Sequence, residues 1–393
     1  IQSKPNILYI STDGVMEPLG QSQVLSYIKA LSASFSFTLI SAEKQSDLLD
    51  LKKFDLAKKG IASKSISWHP LQFQNASNMM RKITHFLYFS WFIFIIAFKN
   101  KHSLIHLRSL ISGLLALPTL LLLRKKFIFD MRGFWADERA DRSKLKRSSV
   151  TYRFLKKVEK TLLNRSEAIV CLTNESKALL LADGYAENKI FVIRTCADEK
   201  IFYPNPKLTT DKYINFVHLG STHTAYDLMP VLNFFHHFSS KNLKLHVVTR
   251  DFVLEELRDT IKKNDLFIPN IEVLSLDYAE VASFLRKMDV GIFFAKENYA
   301  IKASFPTKIA EFLATGIPVI CNNFNKDISV IEEHELGILS DFSTLSFKNK
   351  IFENFFSELG RVEISKNCIA HFQKEFTSSY GISLYQEIYE QFI

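Results

Sequence analysis

The segment KFIFDMRGFWADERAD, residues 126–141, places several charged groups directly after a short apolar run. Asp130, Arg132, Asp137 and Glu138 are its candidates for chemistry. Carboxylates beside arginines can act as a general base or bind sugar hydroxyls. An arginine can also hold a phosphate through two parallel hydrogen bonds. The segment therefore predicts a catalytic site, and a salt-bridged structural loop is the alternative.

A second candidate site follows the apolar run VGIFF in the second half of the chain. Lys302 lies in a polar loop, and the sequence SFPT, which contains Ser304 and Thr307, opens a predicted helix with Lys308 in its first turn. The amino end of a helix together with a lysine suits a diphosphate. Glu311, one turn further on, can accept hydrogen bonds from a ribose diol. The segment predicts a nucleotide site.

A glycine-containing loop follows the first apolar run. In STDGVMEPLGQSQV, Gly14 and Gly20 precede an amphipathic helix that opens at Gln21 or Ser22. Free backbone N–H groups at a helix start form a good phosphate site. Gly20 and Gln21 are therefore candidate phosphate-binding residues, although an ordinary strand-to-helix turn explains the pattern equally well.

Short apolar runs alternate with longer helical patterns along the whole chain. The runs are almost continuous in Val, Ile, Leu and Phe, which is typical of parallel strands that are buried on both faces by helices. The predicted strands are Asn6–Ser11, Phe35–Ser41, Lys64–Trp68, Ser103–Leu107, Lys126–Asp130, Glu167–Leu172, Lys189–Arg194, Tyr213–Leu219, Leu243–Val248, Ile271–Leu276, Asp289–Phe294 and Ile317–Cys321. This pattern predicts an α/β protein with two Rossmann-like, doubly wound parallel sheets.

The proline-containing stretch Tyr203–Asp211 separates two complete strand–helix series and is the predicted linker. We expect an N-terminal domain over residues 1–205 and a second domain over 206–375. Residues 376–393 form a C-terminal helix that can pack back on the first domain. The two domains are expected to face each other across a cleft, with ligands at the carboxyl ends of the strands.

Charge is distributed unevenly between the two halves. Residues 1–205 carry 31 Lys and Arg against 17 Asp and Glu, a net charge of +14, whereas the remainder has a net charge of −5. Ten of the basic residues lie between Arg139 and Arg165. Within this segment the apolar residues from Val150 to Leu162 follow helical spacing, so the lysines there occupy the other face of a predicted helix. A solvated helix face and a surface for anionic lipid or a phosphate-bearing acceptor are both compatible with this cluster. Only Tyr152 and Phe154 are available there for base stacking, which argues against nucleic acid.

Two apolar segments, Phe86–Phe98 and Leu110–Leu123, are shorter than the ~20 residues of a spanning helix. We expect helices that are packed on a sheet, with an interfacial membrane contact as the alternative. Four widely spaced cysteines form no metal-ligand pattern and indicate a reducing compartment. The expected location is the cytoplasm. A peripheral position on the inner face of the plasma membrane is expected if the basic half binds anionic lipid.

The chain resembles a retaining nucleotide-sugar glycosyltransferase of the GT-B fold, in glycosyltransferase family 4. The resemblance rests on DGVMEPLGQSQV, FDMRGFWADER, VIRTCADEKIF, FVHLGS and SFPTKIAEFLATGIPVI. The last of these is similar to the donor-binding E-x7-E region of the family. It implies that Glu311 holds the donor ribose and that Ser304, Thr307 and Lys308 hold the diphosphate. It also implies that Gly20 and Gln21 face the donor phosphate or the acceptor.

Four positions depart from the family pattern. Ala303 stands where the first glutamate of E-x7-E would be, and Ser221 and Tyr226 stand where the family has diphosphate-binding cations. Arg250 and Lys302 are possible substitutes by position. A histidine that is common after the fifth strand is replaced by Arg132.

The resemblance implies transfer of a sugar from a nucleoside diphosphate sugar to a glycan or polyprenyl-linked acceptor, with retention of configuration, in bacterial surface polysaccharide or glycoconjugate synthesis. No cofactor and no metal are expected. The partners are the donor, the acceptor and an anionic membrane surface, without nucleic acid. The alternatives are a GT-B sugar-nucleotide 2-epimerase, a catalytically inactive partner subunit and a basic binding protein.

Overall fold

The computed structural model describes residues 4–62, 66–73, 78–204, 212–222, 225–239, 241–340 and 357–393. The chain divides into two compact units. Unit 1 contains Ile1–Arg194 and Gly381–Ile393, and unit 2 contains Thr195–Tyr380. The chain therefore leaves unit 1 once and returns to it with its last residues. The predicted linker overlaps residues 205–211, which lie outside the described part of the chain.

Unit 1 is built on a seven-stranded parallel sheet with the strand order β3-β2-β1-β4-β5-β6-β7. The strands are β1 Asn6–Ser11, β2 Ser36–Lys44, β3 Ser67–Phe73, β4 Leu104–Arg108, β5 Phe127–Asp130, β6 Ala168–Cys171 and β7 Ile190–Val192. The central strands are buried along nearly their whole length because helices cover both sides. The strand order reverses between β1 and β4, which pair directly. This reversal is the switch point of a doubly wound sheet.

The helical segments of unit 1 follow the strands in alternation. They are Pro18–Gly20, Gln21–Leu25, Ser26–Leu31, Gln45–Leu49, Leu51–Ala62, Met79–Lys99, Ser109–Leu123, Trp135–Asp141, Val150–Arg165, Asn174–Ala182 and Glu187–Lys189. Right-handed crossovers place the helices between β1 and β3 on one side of the sheet and those between β4 and β7 on the other. Helix Met79–Lys99 contacts Ser109–Leu123, which in turn contacts Val150–Arg165. These three helices therefore share the second side.

Unit 2 contains a six-stranded sheet with the order β11-β10-β8-β12-β14-β15 and a separate two-stranded pair of β9 and β13. The strands are β8 Ile214–Leu219, β9 Tyr226–Asp227, β10 Leu243–Val248, β11 Ile271–Leu274, β12 Val290–Ile292, β13 Phe294–Ala295, β14 Val319–Cys321 and β15 Gly337–Leu339. The six-stranded sheet is parallel, and its switch point lies between β8 and β12.

The helical segments of unit 2 and of the C-terminus complete the two layers around the second sheet. They are Met229–His237, Leu254–Lys263, Tyr278–Leu285, Ala300–Ala303, Thr307–Ala314, Lys326–Ser329, Val330–Glu333, Glu358–Glu375 and Ser378–Phe392. Apolar side chains of Met229–His237 and Leu254–Lys263 pack with β8, β10 and β12 in one buried cluster. Burial of such a cluster is the main favourable contribution to folding of the unit.

The predicted α/β class with two parallel sheets is confirmed. A strand overlaps each of the twelve predicted positions, with ends that differ by up to five residues. The largest difference is at predicted strand Lys64–Trp68, whose residues 64 and 65 lie outside the described residues and whose observed strand is Ser67–Phe73. The sequence did not predict β9, β13 and β15. Two of them have two residues each and pair with each other in an antiparallel manner, so they lack the long apolar run by which the buried strands were recognised.

Helix Met79–Lys99 is longer than the apolar run that was used to predict it. The window Met80–Lys99 is long and apolar enough, by length and composition, to cross a bilayer, and 22% of it is buried. The buried side chains include Phe89, Ile93 and Ala97, one turn apart on one face. Because this helix connects β3 and β4 of the same sheet, its inner face packs on that sheet. The expectation of a packed helix therefore holds for its inner face.

The first loop of unit 1 is fixed by contacts between backbone atoms and by one buried carboxylate. Glu43 accepts hydrogen bonds from the backbone N–H groups of Val15 and Met16, at 2.8 and 3.1 Å. A Cβ atom added to Gly20 would lie 1.9 Å from the carbonyl oxygen of Gly14. Gly20 is thus required because the helix start and the loop touch, and Glu43 occupies two of the loop's N–H donors.

We predict that Gly20→Ala lowers the free energy of unfolding by about 1–3 kcal/mol, because the added methyl group has to displace backbone atoms. Gly60→Ala is the matched control, since Gly60 lies in helix Leu51–Ala62 and its added Cβ meets only the Lys29 Nζ at 3.4 Å. That control should gain about 0.4–1 kcal/mol. Urea denaturation of both variants measures the difference, and an equal effect of the two substitutions would contradict the close contact.

Candidate functional site

Unit 2 places its candidate site at the switch point of its sheet. Gly220 follows β8 directly and adopts a φ of +100°, a left-handed conformation that favours glycine. Helix Thr307–Ala314 follows the neighbouring strand β12 along the chain. Lys308 and Glu311 lie on this helix, and both side chains are buried. Two elements that follow adjacent strand ends therefore meet where ligands bind in doubly wound sheets.

The Lys308 ammonium is the central feature of this site. Its Nζ is buried and has no hydrogen-bond partner among the described residues. It lies over the ring of Tyr226 at 3.7 Å from the centroid and 5.0 Å from the centroid of Phe293. A Cβ atom on Gly220 would come within 3.6 Å of it. A buried cation is normally paired, and an anion bound at this site would supply the acceptor that the described residues do not offer.

Burial changes the ionisation of the two charged residues on this helix. Burial lowers the pKa of Lys308 to about 7, although the nearby Glu311 carboxyl opposes the shift. Burial likewise raises the pKa of Glu311 to about 7, and Lys308 opposes that shift. Burial and the Lys308 charge lower the pKa of His218 to about 3, so this imidazole stays neutral. Lys308 is therefore the group here whose charge responds to an arriving anion near neutral pH.

Tyr226 stands where the resemblance places a cation, and the structure shows what it does. Its ring supports the Lys308 ammonium by a cation–π contact. Ala303, at the position of the first family glutamate, is buried at the end of the short helix Ala300–Ala303. At this position a buried methyl group therefore stands in place of the glutamate carboxylate that the resemblance implies.

The remaining donor candidates lie in different settings. The half-buried Ser304 and Thr307 lie directly before and at the start of helix Thr307–Ala314, and the Ser304 carbonyl accepts a hydrogen bond of 2.8 Å from Asn325 Nδ2. Lys302 is half-buried in the preceding helix Ala300–Ala303. Arg250 is exposed and forms an ion pair with Asp277 at 2.7 Å. Arg250 therefore already has a carboxylate partner at the surface.

The switch point of unit 1 carries a chain of charged groups. Arg108 ends β4, and its Nε donates to Asp13 Oδ2, after β1, at 3.0 Å. Its Nη1 donates to Asp130 Oδ2, at the end of β5, at 3.4 Å. Ser109 and Arg132, which follow Arg108 and Asp130, have φ values of +78° and +57°. Left-handed conformations at non-glycine residues are strained and concentrate at functional sites.

Asp130 lies below this edge and is fully buried. Its Oδ2 accepts a 2.9 Å hydrogen bond from the Tyr385 hydroxyl, and His106 Nε2 lies 3.5 Å from the same oxygen. Burial raises the pKa of Asp130, but Arg132, His106 and Arg108 lower it to about 2. The carboxylate is thus ionised at neutral pH, and its negative charge attracts the guanidinium groups of Arg108 and Arg132.

The C-terminal helix Ser378–Phe392 completes this buried network. Tyr385 reaches Asp130, and the Tyr389 hydroxyl lies 2.9 Å from His106 Nδ1. Both tyrosines are buried, and the Tyr389 ring also meets Phe35 edge-on. The last turns of the chain therefore contribute side chains to the base of the candidate site in unit 1.

The other candidates of unit 1 separate into two groups. Arg132 is half-buried and makes no side-chain hydrogen bond within the described ranges. Asp137 is buried and accepts hydrogen bonds from the Tyr152 hydroxyl at 2.6 Å and from Lys156 Nζ at 2.9 Å. Glu138 pairs with Arg142 at 2.6 Å. The structure therefore ties Asp137 and Glu138 to neighbouring side chains and leaves the Arg132 guanidinium without such a partner.

Several residues of these sites were not predicted. Arg108 and Asp13 could have been found, because each follows a predicted strand and carries a charge. Tyr385 and Tyr389 gave no signal, because 255 residues separate Tyr385 from Asp130 in the sequence. Across the described part of the chain, no group of three or more His, Cys, Asp or Glu side chains could hold a metal ion.

Comparison with known proteins agrees with this geometry. Residues 68–200 match the model of Glycosyltransferase Family 4. No curated protein sequence matches the chain. Among solved structures, the chain is similar to sucrose-phosphate synthase from Thermosynechococcus elongatus, with a TM-score of 0.73, 13% identity and 99% of each chain covered. The chain has the GT-B fold.

Two further GT-B structures show the same likeness. A glycosyltransferase from Rickettsia africae gives a TM-score of 0.71 at 16% identity, covering 99% of this chain and 98% of that chain. HepE from Anabaena gives 0.69 at 13% identity, covering 98% of each. The family match and the GT-B fold together support a glycosyltransferase of the GT-B type.

We predict that the double variant Lys308→Met, Glu311→Leu stabilises the nucleotide-free protein by about 1–4 kcal/mol near neutral pH, because it replaces two buried charged groups of one helix by apolar side chains. Lys262→Met, at an exposed helix position of the same unit, should change stability by less than about 0.5 kcal/mol. Denaturant titration without nucleotide makes the comparison. A loss of stability in the double variant would show that the attraction between the two charges exceeds the cost of burying them.

Proposed function

We propose that this protein is a GT-B glycosyltransferase that transfers a sugar from a nucleoside diphosphate sugar to a glycan or polyprenyl-linked acceptor. The observation that carries the proposal is the buried Lys308 ammonium at the switch point of unit 2, to which no described residue offers a hydrogen-bond acceptor. A diphosphate supplies oxygen acceptors and negative charge, and it would restore the charged state of the lysine. The family match over residues 68–200 supports the same reaction class.

In this proposal Lys308 binds the diphosphate of the donor and Glu311 binds its ribose. Lys308 holds the diphosphate together with the backbone N–H groups at the start of its helix, beside Ser304 and Thr307. Glu311, one turn deeper, accepts hydrogen bonds from the ribose. As the bond to the sugar breaks, negative charge develops on the departing diphosphate. A fixed cation in a dry site stabilises that charge more than water does.

Unit 1 binds the acceptor in this proposal. Arg132 has a strained backbone, and its guanidinium makes no side-chain hydrogen bond to a described residue, so in this proposal it contacts the substrate at that edge. Asp130 positions Arg132 electrostatically from below, and Asp137 and Glu138 hold the segment in place. Configuration is retained, no metal takes part, and the reaction serves surface polysaccharide or glycoconjugate synthesis in the cytoplasm.

Known ligands of a GT-B structure are consistent with this donor class. HepE from Anabaena has been solved in complex with UDP and with UDP-glucose. We therefore propose a uridine diphosphate sugar as the first donor to test. Ala303 replaces the family glutamate, so a sugar that needs fewer hydrogen bonds from that position is accommodated.

Release of nucleoside diphosphate tests the function directly. The protein is incubated with UDP-, GDP- and ADP-sugars, each with and without a bacterial membrane extract that supplies acceptors. We expect release from one donor class that rises when the extract is present. Release together with an epimerised free sugar, independent of acceptor, would identify an epimerase instead. Absence of both binding and release for every donor would overturn the proposal.

We predict that affinity for the donor found in this way is greatest near pH 7. Above that value Lys308 loses its proton and affinity falls by up to about tenfold per pH unit. Below it Glu311 gains a proton and can no longer accept from both ribose hydroxyls. A nucleotide sugar itself keeps its diphosphate charge over this range. Calorimetric titration between pH 5.5 and 8.5, both about 1.5 units from the pKa values of about 7, measures the profile.

Two variants separate the limbs of that profile. Lys308→Met should lose the alkaline limb and bind roughly ten- to hundredfold more weakly at pH 7. Glu311→Gln should lose the acid limb and keep the alkaline one. A profile that keeps both limbs in both variants would show that other groups bind the donor.

A further inference from the structure

The outward side of helix Met79–Lys99 is apolar along its length. Met80, Leu87, Trp91 and Phe98 are all exposed, with 62% of Trp91 and 70% of Phe98 accessible. They recur at helical spacing opposite the buried face. The rings of Trp91 and Phe94 stack, as do those of Phe94 and Phe98. A continuous exposed stripe of this kind marks an interaction surface rather than scattered apolar residues.

The neighbouring helices continue this side of unit 1. Leu122, at the end of helix Ser109–Leu123, is 71% exposed. On helix Val150–Arg165, the exposed cations Arg153, Lys157 and Lys160 form one stripe beside the exposed Phe154. We name the exposed residues of these three helices the outer helical face. It combines an apolar half with a basic half.

Acidic groups are missing from the outer helical face. The three helices contain a single carboxylate, Glu159, and it is buried and paired with Lys156. The exposed Arg81 and Lys82 lie at one end of the apolar stripe, and Lys99 lies at the other. The whole face therefore carries positive charge without an exposed negative group, which is complementary to an anionic surface.

A cavity of about 590 Å³ opens at the end of the same face. Leu117 and Leu121 line it on one side, and Arg124, Lys125 and Arg165 contribute cations. These three cations form no ion pair within the described residues, and Glu167 is the one carboxylate in the lining. Apolar walls beside unpaired cations suit the junction between a phosphate and an acyl chain.

We infer that the outer helical face binds an anionic lipid bilayer, with the cavity at Arg124 and Arg165 taking a lipid phosphate. The apolar stripe lies at the level of the headgroups and upper acyl chains, as interfacial amphipathic helices do. The cations beside it attract anionic headgroups. Nucleic acid would not use the apolar stripe, and a protein partner is the occupant that an absence of vesicle binding would indicate. The inference does not depend on the proposed enzymatic activity.

Vesicle sedimentation tests the inference with the full chain. Vesicles of phosphatidylcholine alone and of phosphatidylcholine with one-quarter phosphatidylglycerol are compared at 0.1 M and 1 M salt, where the Debye length is about 10 Å and about 3 Å. We expect binding to the anionic vesicles that weakens, but persists in part, at high salt. An excess of inorganic phosphate should not release the protein, because a free anion lacks the acyl chain.

Three variants dissect the face. The triple change Arg153→Gln, Lys157→Gln and Lys160→Gln should weaken binding at low salt by about a hundredfold. Trp91→Ala with Phe98→Ala should remove the binding that survives 1 M salt. Arg124→Gln with Arg165→Gln should reduce the preference for phosphatidylglycerol. The residues are exposed or line a cavity, and thermal melting confirms that each variant is folded.

Matched controls lie on helix Leu51–Ala62, on the other side of the sheet. Lys52→Gln, Lys58→Gln and Lys59→Gln remove the same charge, and Leu51→Ala with Leu56→Ala removes exposed apolar surface of the same kind. Both controls should bind as the unchanged protein does. Equal losses in the controls and the face variants, or no binding to anionic vesicles, would overturn the inference and leave the face to a protein partner. Complete release by inorganic phosphate would overturn the assignment of the cavity to a lipid.

Discussion

An ammonium group that is buried without a hydrogen-bond acceptor costs a protein stability, and unit 2 is arranged around one. Lys308 is tolerated because the faces of Tyr226 and Phe293 stabilise the charge and because Glu311 lies one turn away. Gly220 leaves open space beside the amine that any side chain would fill. The Lys308 amine is therefore surrounded by Gly220 at the end of β8, by the two aromatic rings and by the start of its own helix. Burial of this ammonium lowers the stability of the unit, and the same burial makes the group able to bind an anion strongly.

Unit 1 treats its own switch point differently. Its charges are already connected to one another, from Asp13 through Arg108 to Asp130 and on to Tyr385. A buried carboxylate with such partners stays ionised and holds its surroundings rigid. Arg132, two residues after Asp130, has a strained backbone and no side-chain hydrogen bond to any described residue. The two sheets share a topology, but their switch points differ. In unit 2 a buried lysine lacks an acceptor among the described residues, whereas in unit 1 an arginine lies beside an ionised, hydrogen-bonded carboxylate.

The layout of strands and helices could be predicted from the sequence because buried parallel strands leave continuous apolar runs. The helix start before Lys308 was predictable for a similar reason, since proline and small polar residues mark it. What Lys308 contacts was not, because the role of Tyr226 depends on the pairing of β9 with β13, two strands of two residues each. The bond between Tyr385 and Asp130 was equally hidden, because nothing local links residues so far apart. The apolar run within Met79–Lys99 could be recognised in the sequence as a helix. Which face of that helix is exposed to solvent is seen only from its packing in the structure.

The return of the chain to unit 1 also has a consequence for how the protein is made. Residues Gly381–Ile393 are synthesised after the whole of unit 2, and they bring the tyrosines that contact Asp130 and His106. Domains generally fold in the order of synthesis, amino-terminal first. Here the first unit has to wait, with a charged carboxylate and an imidazole lacking their tyrosine partners, until translation of the second unit has ended. The candidate site in unit 1 is therefore completed only after unit 2 has been synthesised.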